Sequence, residues 1–184
     1  MFSTILICSL SVGLSLSLGK QSVEPSADGK TLNIRLGSSA ESFAVVELQP
    51  KVTFKNLEVL TRYLDLPIQR CFGSARRVIL SEQGFNTPKD ADGETKQAAG
   101  FCYGWKKANA LPGIDAFILH RHVDHTHEGG LRLGLWTNKP DSVNTPDGRK
   151  LLYEVFHHAN ADDWQKHFQF ALPLIGAKDW NSLP

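Results

Sequence analysis

Ile114–Trp136 reads IDAFILHRHVDHTHEGGLRLGLW. An apolar run, Ile114–Leu119, stops abruptly at His120. Four histidines, one aspartate and one glutamate then fall within the nine residues His120–Glu128, ahead of Gly129-Gly130. Leu131, Leu133 and Leu135 alternate with Arg132 and Gly134, which is the period of an extended strand. The pattern is that of a buried strand delivering a polar cluster to its C-terminal end. α/β folds keep their chemistry at that end, because the strand is rigid and the loop after it is free to vary.

Upstream, Arg76–Ser81 (RRVILS) reads as a second short apolar strand that stops at Glu82-Gln83-Gly84. A loop rich in Asn, Pro, Lys and Asp leads to Gly93. Glu94–Leu111 has helical spacing, with Ala98, Phe101, Cys102, Trp105 and Ala108 on one face, and Pro112-Gly113 breaks it. Strand, loop, helix and strand make a βαβ unit, whose right-handed crossover requires parallel strands. Glu82 and His120 are therefore expected at the same end of one sheet.

Downstream, Leu131–Trp136 reads as extended and Thr137–Asp147 as a surface loop. Arg149–His158 is predicted as a helix with Leu152, Val155 and Phe156 inward. Ala161–Leu174 is predicted as a further helical stretch with Trp164, Phe168 and Ala171 as its buried stripe. Trp105 and Trp164 read as core. His157 and His158 suit a helix C-terminus, where imidazole complements the dipole. Toward the N-terminus, Gln21–Lys30 reads as a polar linker. Thr31–Leu36 and Phe43–Leu48, separated by Gly37-Ser38-Ser39, read as a β-hairpin. Thr53–Leu64 places Phe54, Leu57, Leu60 and Leu64 at helical spacing, and Pro67 ends that helix.

A chain of 184 residues with a net charge of +1 can bury a real core, and its near-neutral balance gives no case for a nucleic-acid or anionic-membrane partner. Met1–Gly19 is apolar, interrupted by serines and ended by small residues, so it reads as a signal peptide rather than a spanning helix, though no basic residue precedes Lys20. A retained anchor or a mis-placed start is the alternative. The expected organisation is a signal peptide over 1–19, a linker and hairpin over 20–50, and the main body over 51–184. The mature protein is expected to be secreted or periplasmic, with no membrane association after signal removal. Cys71 and Cys102 would remain, either as a disulfide or as two buried thiols.

Two family resemblances attach to these residues. His120-Arg121-His122-Val123-Asp124-His125 has the form H-x-H-x-D-H and resembles the metallo-β-lactamase signature. There the histidines hold zinc and the aspartate helps to hold a second metal. That reading makes the protein a metal-dependent hydrolase using His120, His122, Asp124 and His125. No segment upstream or downstream matches the remaining ligands of such a site, and the βαβ order is wrong for that sandwich.

The second resemblance takes in more of the chain. Arg76–Gly84 is similar to the end of the seventh strand in clan A glycoside hydrolases, where the strand delivers a nucleophilic glutamate followed shortly by glycine. Gly134-Leu135-Trp136, with Lys150 and Tyr153 downstream, resembles the passage from the eighth strand into the closing helix. Taken together, SEQGFNTPKD, AAGFCYGWKKA, DAFILHRHVDH and GGLRLGLWTNKPDS are most similar to a family of bacterial secreted proteins. These are domains of unknown function in the glycosidase superfamily of (β/α)8 TIM barrels. The similarity runs from about Lys51 to the C-terminus.

That resemblance implies an α/β fold, the C-terminal strand-helix units of a partial (β/α)8 barrel with a short β-hairpin in front. It implies carbohydrate as the partner, Glu82 as the catalytic nucleophile, and His120, Arg121, His122, Asp124 and Trp136 as substrate-binding residues, with no metal and no cofactor. One or two members of the His120–His127 cluster are expected to face the pocket, and the others to hold the loop by hydrogen bonds. Arg121 beside Asp124 reads as a plain ion pair. A complete barrel needs about 250 residues, so the chain corresponds to its last part only. Retaining hydrolysis needs two carboxyl groups about 5–5.5 Å apart. Glu128 is the one other carboxyl that approaches, and Gly129-Gly130 make it mobile. A chain of this kind is expected to show little turnover alone and to self-associate through exposed strand edges. The alternative to an enzyme is a non-catalytic carbohydrate-binding or interaction module.

Overall fold

The computed structural model describes Thr4–Ile7, Gln21–Pro25, Thr31–Leu36, Ser42–Glu47 and residues 52–183. The chain forms two compact units. One comprises Ser9–Ala75; the other comprises Met1–Cys8 with Arg76–Pro184.

The strands in chain order are β1 (Thr4–Ile7), β2 (Gln21–Pro25), β3 (Thr31–Leu36), β4 (Ser42–Glu47), β5 (Arg77–Gln83), β6 (Ile114–Leu119), β7 (Trp136–Asn138) and β8 (Pro146–Arg149). The helices are α1 (Leu57–Asp65), α2 (Gly93–Ala110), α3 (Leu151–His158), α4 (Trp164–Phe168) and α5 (Ala171–Ile175). The protein is thus mixed α/β. Its described strands form separate sheets, β1-β5-β6, β2-β3-β4 and β7-β8, and do not close into a barrel.

In the Ser9–Ala75 unit, β3 and β4 form the expected antiparallel pair, and β2 adds to the other side of β3. Part of the stretch read as a polar linker is therefore a strand, Gln21–Pro25, whereas Ser26–Lys30 lies outside the described residues. A 3-10 turn at Phe54–Asn56, capped by Thr53, leads into α1. Leu57 and Leu64 are its buried positions, and Pro67 opens a new turn just beyond it. α1 groups with this unit rather than with the larger one. Of the apolar stretch Met1–Gly19, only Thr4–Ile7 is described. It lies parallel to β5 in the larger unit.

The larger unit holds the βαβ element. β5 and β6 are parallel neighbours, paired from Val78 opposite Ile114 to Gln83 opposite Leu119, with the register shifting between Val78 and Ile79 and again between Leu80 and Gln83. α2 crosses between them and buries Ala98, Phe101, Cys102, Trp105 and Ala108, the face that the spacing predicts. Its start needs Gly93, because a Cβ there would lie 2.1 Å from the Pro88 carbonyl oxygen. Across the exposed edge of the pair, Arg77 donates Nε–H to Asp115 at 2.8 Å. Such a surface pair is screened by water and contributes little to stability.

The core lies between α2, α3, α4 and α5. Phe101, Leu152, Val155, Phe168, Ala171, Leu172 and Trp180 are buried together. Phe168 meets Phe101, Trp105, Trp164 and Trp180 with ring centroids 5.3–6.3 Å apart. Edge-to-face contacts of this kind add to the area term. Phe117 and Leu119 of β6 pack on the same cluster. Ile118, on the opposite face of the strand, is half exposed. Beside β6, a cavity of about 320 Å³ opens between Phe101, Trp105, Phe117 and Phe156. Cys71 and Cys102 are both free thiols, and burial pushes the Cys102 thiol well above its ordinary range. Among the described residues, no helix is long and apolar enough to cross a membrane.

Four local expectations need correction. Leu131–Leu135 is not a ladder strand, although Leu133 and Leu135 are buried. Its backbone bonds instead to loops and side chains. The supposed surface loop Thr137–Asp147 contains parts of both strands of a hairpin: β7 pairs antiparallel with β8. Phe156 is not inward but 42% exposed. Ala161–Leu174 is two short helices rather than one. Pro173 has no N–H to bond to the Gln169 carbonyl, and its ring crowds that oxygen, so the chain turns at Gln169-Phe170.

This packing separates two phenylalanines sharply. Phe168→Ala should lower stability by about 3–5 kcal/mol, as for a fully buried aromatic. Phe156→Ala should cost well under half of that. Chemical denaturation of both variants with unchanged slope checks the contrast.

Candidate functional site

β5 and β6 end side by side. The His120 N–H donates to the Gln83 carbonyl at 2.9 Å, which carries the strand pairing one residue past β6. Gly84 follows at a place where the backbone is close: a Cβ there would sit 3.0 Å from the His120 carbonyl oxygen. Glu82 is exposed at this end of β5. The structure therefore brings Glu82 and His120 to the same end of the sheet, as the parallel topology requires. The His120–Arg121 peptide bond is cis.

From His120 the chain makes a loop that returns along itself. Leu135 N–H donates to the carbonyls of Arg121 and His122 at 3.2 and 3.0 Å, and Trp136 N–H to His122 at 3.1 Å. Asp124 N–H donates to Trp136 at 2.8 Å. The tip turns at Gly129 and Gly130, both with positive φ, a conformation that glycine adopts without a Cβ penalty. Two side chains on this loop face each other at its base. Arg121 Nη1 donates to Glu128 Oε1, and His120 Nε2 lies 3.7 Å from the same oxygen. Glu128 is thus engaged at the base of the loop, and Arg121 pairs with Glu128 and not with Asp124.

Asp124 points the other way. It is 4% exposed, and its Oδ1 accepts from Lys150 Nζ at 2.8 Å and from the Gly134 N–H at 2.7 Å. Lys150 is itself buried and also donates to Thr87 Oγ1 at 2.9 Å. Burial lowers the Lys150 pKa; the hydrogen bond and charge of Asp124 act against that shift. Around the pair, Gln97 Nε2 donates to the carbonyls of Phe85, Arg132 and Gly134. Arg132 Nη2 donates to the carbonyls of Thr87 and Pro88. Gly134 admits no side chain, since a Cβ would lie 2.2 Å from Asp124 N. Asp124 is a framework residue here, out of reach of a substrate. Sequence reasoning noted Lys150 as part of a family ending but missed this role. A lysine just ahead of a helix whose first turn points inward was the available signal.

The remaining candidates lie on the outer side of the loop. His122 is exposed, with its ring 6.4 Å from that of Trp136. Trp136 is half-buried. The Arg149 guanidinium sits 5.1 Å over its ring and 4.4 Å over that of Tyr153, a cation–π arrangement. One face of Trp136 is therefore covered by Arg149. Tyr153 stacks in turn on His157, 6.2 Å away. His125 accepts a hydrogen bond from the His127 N–H at Nδ1, 3.1 Å. This is the loop-holding role expected for some of these histidines.

The H-x-H-x-D-H box does not converge. Among the described residues, the one group of ligand atoms close enough together to hold a metal is His158, Asp163 and His167. His120, His122, Asp124 and His125 splay over two sides of the loop, and an ammonium group stands on the Asp124 carboxylate.

The model of the Family of unknown function (DUF5722) matches residues 43–183, and the chain belongs to that family. No curated protein and no solved structure matches it.

The buried pair is open to a double-mutant cycle. Asp124→Ala and Lys150→Met should each cost about 3–5 kcal/mol, because each leaves a buried charge alone. The double variant should lose clearly less than the sum. The pH dependence has a definite sign. Below the usual lysine value of 10.5, down to the lowered folded-state value, the unfolded chain binds the extra proton. Across that window the wild type should gain stability with rising pH relative to Lys150→Met.

Proposed function

We propose that this protein is glycoside hydrolase-like: a carbohydrate-directed protein of the extracytoplasmic space, built on the C-terminal strand-helix units of a (β/α)8 barrel. The observation that carries the reading is the placement of Glu82 and His120 at the C-terminal ends of adjacent parallel strands. That is the position from which barrel enzymes present catalytic carboxylates. Further support comes from β6. One face packs on helices while the other exposes Ile118, as in a barrel strand whose inner neighbours are lacking. In this reading Glu82 is the nucleophile. His120, Arg121 and Glu128 line the strand ends, and His122 and Trp136 flank them with ring surfaces suited to sugar faces.

Catalysis needs a second carboxyl group that can donate a proton to the leaving oxygen. Glu128 is the nearest candidate on the loop, but its Oε1 is engaged by Arg121. That favours a second reading, a non-catalytic carbohydrate-binding module on the same surface. Loss of general-acid assistance alone removes about 10²–10⁴-fold in rate. A metal-dependent hydrolase at His120, His122, Asp124 and His125 would have to displace Lys150 from Asp124.

Glycan binding and turnover separate these readings. We expect saturable binding of an oligosaccharide, weakened by His122→Ala and Trp136→Ala, with negligible hydrolysis of the same glycan. Activated aryl glycosides, whose leaving groups need no acid, should react slowly and lose that reaction in Glu82→Gln. Rapid hydrolysis of a natural glycan, abolished by Glu82→Gln, would make the chain a complete enzyme. Absence of any glycan binding would remove the carbohydrate reading.

A further inference from the structure

The corner between α3 and α4 carries a second polar cluster, remote in sequence from the His120–Glu128 loop. α3 ends at His158. The Ala161 N–H donates back to the His158 carbonyl at 3.0 Å, and the Trp164 N–H to Ala161 at 3.1 Å, which closes the turn. Asp163 stands immediately before α4 and makes no capping bond with its side chain; His167 is one helical turn further on. One ligand atom from each of His158, Asp163 and His167 lies within 4.8 Å of the others. His167 Nε2 is 3.4 Å from Asp163 Oδ2. The two imidazole rings lie face to face, 3.6 Å between centroids and 3° from parallel.

We propose that His158, Asp163 and His167 form a binding site for a divalent transition cation, zinc being the ion it fits best. Metal–ligand bonds of about 2.0–2.1 Å at tetrahedral angles put neighbouring ligand atoms about 3.3 Å apart. The His167–Asp163 separation already matches such an edge. Two imidazoles and one carboxylate suit zinc and its first-row neighbours, whereas magnesium and calcium require mostly oxygen. Three protein ligands leave a fourth position for water or another small ligand. To close on an ion, the imidazoles need only tilt out of their stack so that their lone pairs converge.

The backbone that carries the ligands is held from below. Trp164 packs against Trp105, Phe168 and Trp180 at 5.1, 5.3 and 5.7 Å, so α4 is tied to the aromatic core. Leu152 and Val155 fix α3 in the same core. Ligation therefore orders side chains on a corner already in place. An i,i+4 ion pair between Asp163 and a protonated His167 would explain two of the three groups, but it gives no role to His158 stacked on His167.

The test uses the full chain without an affinity tag. Calorimetric titration with zinc should give one ion per chain, and magnesium should not compete. Cobalt should give the visible absorption of a four-coordinate nitrogen-oxygen site. His167→Ala and Asp163→Asn should each weaken zinc binding by more than about tenfold, while His122→Ala leaves it unchanged. Asp163 is exposed, so Asp163→Asn keeps the fold and serves if His167→Ala does not. Zinc should raise the melting temperature of the wild type but not of His167→Ala. No saturable binding would overturn the proposal. So would wild-type affinity in both Asp163→Asn and His167→Ala, or loss of binding in His122→Ala.

Discussion

The larger unit depends on one buried ion pair. Lys150 Nζ and Asp124 Oδ1, 2.8 Å apart, are both sequestered from water. Removing an ammonium and a carboxylate from water costs several kcal/mol each, and Coulomb attraction offsets this only when the remaining hydrogen-bonding capacity is also used. Here it is largely used: Thr87 accepts from the ammonium and the Gly134 N–H donates to the carboxylate. Four separate stretches of chain meet at this point, the loop after β5, the histidine loop, the returning Arg132–Leu135 segment and the start of α3. An apolar cluster of the same volume would bury as much surface. It would not dictate which residue of each stretch faces inward, because dispersion has no direction and hydrogen bonds do.

The consequence for the site is geometric. Asp124 turned inward leaves its neighbours turned outward: Arg121 and Glu128 pair at the sheet end, and His122 lies exposed beside Trp136. Gly134 makes the inward turn feasible, since any side chain there would collide with the Asp124 backbone. Gln97, from the second turn of α2, closes the arrangement by donating to carbonyls that no strand partner satisfies. The loop carrying the polar cluster is therefore positioned by a polar framework together with one parallel bridge, Val123 opposite Trp136, rather than by a longer ladder.

This distinction also explains what the sequence disclosed. β5, α2 and β6 were legible because each has one apolar face and a clear stop: Gly84, Pro112-Gly113 and His120. The parallel topology, and with it the shared end of Glu82 and His120, followed from their order. The alternation Leu131-Arg132-Leu133-Gly134-Leu135 misled for a physical reason. Period two signals that alternate residues are buried, and Leu133 and Leu135 are, but it does not signal that the backbone pairs with another strand. β8, PDGR, is wholly exposed and offers no apolar signal at all. The role of Asp124 was illegible because its partner lies 26 residues away and nothing local distinguishes an aspartate that caps a buried lysine from one that binds a metal. His158 read only as a helix-end residue, and Asp163 and His167 drew no reading, for the same reason: spacing along one chain does not show that a helical corner folds two imidazoles face to face.

α3 joins the two polar regions. It begins at the lysine of the buried pair and ends at His158, a span of about 12 Å at 1.5 Å per residue. Between those ends, Leu152 and Val155 seal it against α2 and the aromatic cluster. A short helix in isolation is marginal, because nucleation fixes several residues for one hydrogen bond. This one is instead clamped at its first turn by Lys150 and along its length by packing. Its last residue is therefore placed before any ligand arrives. Ordering a backbone residue costs about 1–2 kcal/mol, and that cost is already met by the fold at both His158 and the core-anchored α4. What remains for an ion at this corner is the ordering of a few side-chain torsions, which is why two half-buried imidazoles and one exposed carboxylate suffice to define a site.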